Sequence, residues 1–123
     1  MPILDIELVQ PDGALPAASA LTQALADAAG RALGAAPGRT WVRLRVLPVS
    51  QYAENEAIVA PDEYPVFVTV LHARAPQGQA LADEIAALTQ ALAACLGRAS
   101  QRVHLQYSPA AAGRQAFGGV LVR

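Results

Sequence analysis

The chain has 123 residues, 54% of them hydrophobic, with nine basic and ten acidic side chains and a net charge of −1. That is enough for one domain with its own core, and the basic residues form no run, which argues against nucleic acid as a partner because phosphate binding needs clustered Lys/Arg. A single cysteine, Cys95, excludes an intrachain disulfide or a cysteine-based zinc site.

Pro2 stands at the head of "ILDIELV", in which Leu4, Ile6 and Leu8 alternate with Asp5 and Glu7. That is the pattern of a strand with one apolar face. "QPDGALP" breaks it. "PAASALTQALADAAGRALG" then reads as a helix, with Pro16 in its first turn, Leu21, Leu25, Ala28 and Ala32 near one face, and Gly34 at its end. "TWVRLRVLP" alternates again, Val42, Leu44 and Val46 against Trp41, Arg43 and Arg45. A polar connection, "QYAENEAIVAPDEY", leads to the β-branched strand "PVFVTVLHA". A second helix follows, with Ile85, Leu88, Leu92 and Leu96 at helical spacing, and then a fourth strand, "RVHLQY".

The second half repeats the order of the first. Pro2 and Pro65 are 63 residues apart, as are Leu33-Gly34 and Leu96-Gly97. "LTQALA" recurs verbatim at Leu21 and Leu88, but its offset is about one helical turn longer, so the strand anchors set the register. The expected fold is α/β (α+β), a single domain over 1–123 with pseudo-repeats at about 2–62 and 65–123. Two tandem βαβ units form a four-stranded sheet with both helices on one face. The other face carries Asp5, Glu7, Arg43, Arg45, Thr69, His104 and Gln106 among Phe67 and Leu71, a mixture that predicts partial cover by oligomerisation.

The start has no basic region, and Asp5 and Glu7 interrupt it early, unlike a signal peptide. No run of about twenty apolar residues could span a membrane. A soluble, cytoplasmic protein is expected, with no membrane partner. His72 and His104 have no metal-ligand spacing, so no metal is expected. "GAAPGRT" superficially matches a phosphate-binding loop, but it lacks the lysine and precedes a strand instead of a helix.

Pro2 has two readings. Proline cannot donate to a sheet ladder and is tolerated at a strand's first residue. If Met1 is removed, Pro2 is instead a free secondary amine at the end of a strand, able to act as base, acid or nucleophile.

"MPILDIELV", "RTWVRLRVLP" and "GRQAFGGVLVR", in this order and with the internal repeat, resemble the tautomerase superfamily over essentially the whole chain. Members resembling 4-oxalocrotonate tautomerase are single βαβ units; the length here is similar to the fused two-unit form, as in macrophage migration inhibitory factor-like and 5-carboxymethyl-2-hydroxymuconate isomerase-like members. The resemblance implies a cofactor-independent homotrimer acting on a small carboxylate with an adjacent keto or enol group. In it the Pro2 nitrogen moves a proton and arginines hold the carboxylate. An α-amino group titrates near pH 8; a dry pocket and nearby arginines lower that value toward the range of an efficient base. The arginines would also stabilise charge on the enolate oxygen.

By the same resemblance Arg43 matches the arginine of the second strand, with pairing to Asp5 or Glu7 as its alternative. Arg74, in "LHARAPQG", stands near a second arginine position, with a solvated loop as its alternative. Tyr52, Phe117 and Tyr107 are candidate pocket walls, with core or interface packing as theirs. Trp41 is expected at an interface, His72 in a structural role, and His104 where the second unit departs from Arg43. Two further readings stay open. One is same-fold dehalogenation, hydration or decarboxylation of a small acid; no matched water-activating pair stands out, and Glu54 and Tyr107 are the candidates for one. The other is a non-catalytic binding trimer.

Overall fold

A computed structural model describes residues 2–11 and 15–123; Met1 and part of the expected break after the first strand lie outside the described residues. The alternating runs become strands β1 (Ile3–Gln10), β2 (Trp41–Pro48), β3 (Val66–Leu71) and β4 (Val103–Tyr107), with helices α1 (Ala18–Leu33) and α2 (Gly78–Leu96) between the members of each parallel pair. The sheet order is β2-β1-β3-β4. β1 runs parallel to β2 and β3 parallel to β4, while β1 and β3 join the two units antiparallel. A short hairpin, β5 (Ala116–Phe117) and β6 (Val120–Leu121), closes the chain. Its turn is Gly118-Gly119, both at positive φ, which an L side chain resists and a two-residue hairpin requires.

The even positions of β1 build the core. Leu4, Ile6 and Leu8 are buried against Val66, Val68 and Val70 of β3, under Leu25 and Ala29 of α1 and Leu88 and Leu92 of α2. Both helices therefore cover one face of the sheet.

Three details differ from the expected pattern. Ile85 is exposed, and the inward stripe of α2 runs instead through Glu84, Leu88 and Leu92. Pro16 lies before α1, whose first residue is Ala18. The expected pairing of Pro2 with Pro65 is one residue out. Strand positions on the same face are 62 apart (Leu4 with Val66, Ile6 with Val68), so the place of Pro2 is taken by Tyr64, while the buried helix residues Leu25 and Leu88 keep the offset of 63. A face alternates every residue, so a slip of one turns a side chain to the other side.

The open face is ordered in rows. Arg43, Asp5, Thr69 and Gln106 lie across it, and the next row is Arg45, Glu7, Phe67 and His104. Trp41 and Phe67 remain partly exposed there, as do Val120 and Leu121 of the hairpin.

Leu88 fills the space between the helices and the sheet, whereas Ile85 does not. Leu88→Ala is expected to cost about 2–5 kcal/mol in denaturant unfolding, and Ile85→Ala about 0.5 kcal/mol or less.

Candidate active site

Four of the expected residues lie toward the end of the sheet where β1 begins. The Pro2 carbonyl accepts the Trp41 backbone N–H at 3.0 Å. The Trp41 ring packs edge-to-face on Phe117, with centroids 5.3 Å apart, so the hairpin is seated against the first residue of β2, on the open face. Tyr107 ends β4 at the same edge, in register with Val70, which is itself opposite Leu4. Arg74 follows β3 as the chain leaves this end, and its guanidinium donates to the Arg123 carbonyl at 3.0 Å.

The β1–β3 register also places His72. The Val9 N–H donates to the Pro65 carbonyl, which makes these two a hydrogen-bonded pair. Pairs then alternate along the ladder, through Ile3 opposite Leu71. Continued one step past its last pair, Ile3 and Leu71, the same register would bring Pro2 level with His72 as a non-hydrogen-bonded pair. Such pairs hold their Cα atoms about 4.5 Å apart, with side chains on the same face. For both residues that is the helix side, the face of Leu4 and Val70.

There His72 belongs to a polar cluster of three. Glu84 Oε2 accepts the Tyr107 hydroxyl at 2.6 Å and lies 2.8 Å from His72 Nε2. The His72 and Tyr107 rings stack with centroids 6.0 Å apart. The His72 and Glu84 side chains are each only 15% exposed. Burial, and then the Glu84 carboxylate, push the Tyr107 phenol well above its ordinary pKa. Tyr107 is therefore a proton donor at neutral pH, not a base. Sequence reasoning missed Glu84 and gave His72 only a structural role. The available signal was a carboxylate at i−4 and i−8 from Leu88 and Leu92, on a stripe otherwise apolar.

Two expected residues lie elsewhere in the chain. Arg43 makes a two-pronged ion pair with Asp5 on the open face, Nε to Oδ1 at 2.5 Å and Nη2 to Oδ2 at 2.8 Å. The Tyr52 ring lies tilted against Phe67, the partner of Glu7, with centroids 5.9 Å apart. Five residues separate Glu7 from Pro2, about 17 Å along a strand. At that far end Glu54 accepts from both Tyr52 and Arg102, each at 2.6 Å. These two donors, the tyrosine hydroxyl first, hold the Glu54 carboxyl below its ordinary range. Glu54 and Tyr107, the two residues considered for activating water, thus sit at opposite ends of one sheet with separate partners. Among the described residues no cluster of His, Cys, Asp or Glu could hold a metal ion, and no helix is long and apolar enough to cross a membrane.

No family model matches this chain, and no curated protein matches it. Solved structures do. The F6 fused 4-OT wild-type asymmetric trimer aligns with TM-score 0.75 at 20% identity, over 97% of this chain and 94% of that one. The Q0 fused 4-OT wild-type symmetric trimer aligns with TM-score 0.68 at 27% identity, over 98% and 94%. The FG41 malonate semialdehyde decarboxylase inhibited by 3-bromopropiolate aligns with TM-score 0.67 at 19% identity, over 94% and 90%.

The Tyr107–Glu84 bond gives a signed expectation. A phenol whose pKa is raised by folding contributes stability that is complete below the ordinary tyrosine value of about 10 and is lost as pH rises through the folded value. Ultraviolet titration of the parent and Tyr107→Phe will show that the variant lacks the most alkaline phenolate step. At neutral pH Tyr107→Phe will be less stable by about 1–3 kcal/mol, a gap that narrows only at the alkaline extreme.

Proposed function

We propose that this chain, which has the fold of the tautomerase superfamily in its fused two-unit form, is a cofactor-independent tautomerase of small 2-keto or 2-enol carboxylates. The observation that carries the reading is the position of Pro2. It opens the strand that joins both units, and the site's polar cluster lies across the ladder from it. With Met1 removed, its nitrogen is a secondary amine that transfers a proton between the enol oxygen and the neighbouring carbon. One O–H bond breaks and one C–H bond forms, so no oxidant or second substrate is consumed.

Arg74 holds the substrate carboxylate in this reading, by the paired hydrogen bonds that guanidinium makes with carboxylates. Tyr107 walls the pocket, while Phe117 packs on Trp41 at the open face. Arg43 and Tyr52 lie too far along the sheet, or on its other face, to reach the Pro2 of their own chain. They serve the site of a neighbouring copy. A homotrimer provides that neighbour, and the partly exposed Trp41, Phe67, Val120 and Leu121 give it apolar surface to cover. Two of the similar structures are described as trimers.

One observation favours a second reading: the similarity to a malonate semialdehyde decarboxylase. A decarboxylase on this scaffold would use the ammonium form of Pro2. The protonated Tyr107 fits either chemistry, but it does not supply the base that hydration or dehalogenation would need. A non-catalytic binding trimer has no use for a free amine at Pro2.

The test is the rate of phenylenolpyruvate ketonisation by native protein and by Pro2→Ala, with intact mass confirming loss of Met1 in both. The expected loss is about a hundredfold or more in kcat. Equal rates in the two proteins would remove Pro2 from the chemistry. Turnover of malonate semialdehyde without phenylenolpyruvate turnover would transfer the assignment to the decarboxylase.

A further inference from the structure

We infer that the His72–Glu84 pair is the second proton-transfer group of the Pro2 site. His72 exchanges the proton at the substrate oxygen, and Pro2 exchanges the proton at carbon. This rests on the proline reading above and divides its proton transfer between two groups.

Three observations support it. The first is place: the β1–β3 register, continued one step, brings His72 level with Pro2 on the helix side of the sheet. The second is orientation. His72 Nε2 is engaged by Glu84 Oε2 at 2.8 Å, and the ring is held against Tyr107. A carboxylate on one ring nitrogen fixes the tautomer that leaves a lone pair on the other and stabilises the imidazolium once that lone pair takes a proton. The third is access. Among the described residues no hydrogen bond engages Nδ1, and the His72 side chain keeps 15% of its surface exposed.

The step balances. Nδ1 takes the enol hydroxyl proton, and the oxygen's electron pair forms the carbonyl. The former C=C pair takes a proton from the Pro2 ammonium at the adjacent carbon. The products are a 2-keto acid, a His72 imidazolium held by Glu84, and a neutral proline. Return of the proton from His72 to Pro2 resets the site with nothing consumed. Tyr107 takes no part in the transfer. By occupying Glu84 Oε2 together with His72, it fixes the angle of the imidazole, which makes Glu84 and Tyr107 positioning residues.

The test uses full-length protein and phenylenolpyruvate. His72→Gln retains a side chain that can bond Glu84 but is not basic. It should lower kcat by about a hundredfold, with KM within about threefold of the parent. His72→Ala should regain about tenfold or more of its lost rate on addition of free imidazole, whereas Pro2→Ala should not respond. Glu84→Gln should lower kcat, again with little change in KM. A His72→Gln enzyme within about threefold of the parent kcat, or a His72→Ala loss that imidazole leaves untouched, overturns the inference. An inactive Pro2→Ala beside a fully active His72→Gln would overturn this inference alone. A Pro2→Ala enzyme that keeps its rate, or a parent with none, would overturn the proline reading as well.

Discussion

The antiparallel ladder between β1 and β3 is the constraint on which the rest depends. Among the described residues it is the only seam of strand pairing between the two βαβ units, since β2 and β4 lie at the outer edges. Its alternation sends Leu4, Ile6 and Leu8 and their partners Val66, Val68 and Val70 into one buried layer. Burial of these side chains is each worth about 1.5–3 kcal/mol, so a register slip that turned them outward would forfeit the core. The same alternation determines which side chains meet at the ends of the ladder. Pro2 and His72 share a face because Leu4 and Val70 do.

The polar residues are divided by that sheet into separate balanced groups. On the open face Arg43 is neutralised by Asp5. At the far end Arg102 and Tyr52 converge on Glu54, and the half-buried Arg98 guanidinium ties the carbonyls of Tyr64 and Val9 across the seam. At the Pro2 end Glu84 gathers Tyr107 and His72. Each carboxylate has donors suited to it, as buried or half-buried charge requires. What distinguishes the Pro2 end is chemical. It combines a strand-opening proline, an imidazole and a phenol, with Arg74 close by in sequence and bonded to a main-chain oxygen of Arg123.

Most of the architecture was legible in the sequence because it is written in local periodicity. Alternation at "ILDIELV" and "TWVRLRVLP" and the helical spacing of Leu88 and Leu92 each record one element's contact with the core. The open-face set, from Asp5 to Gln106, could be read for the same reason. The candidate site was less legible. The choice of Ile85 over Glu84 followed from hydrophobicity, which hides a carboxylate whose partners come from two other elements, 12 and 23 residues away. The match of Pro2 to Pro65 followed residue identity where sheet parity decides. Tyr52 and Arg43 were assigned by resemblance, and no local pattern reveals which end of a sheet, or which copy of a chain, a side chain will serve.

The absence of lysine opens a direct test of the central claim, that the Pro2 amine is the reacting group. With no side-chain amine in the chain, acetylation by an N-hydroxysuccinimide ester has the N-terminus as its amine target. Mass analysis of the N-terminal peptide should find one acetyl group on Pro2, and phenylenolpyruvate ketonisation should disappear in step with its incorporation. An acetylated Pro2 with undiminished turnover, or an active protein whose acetyl group sits on a retained Met1, would contradict the account.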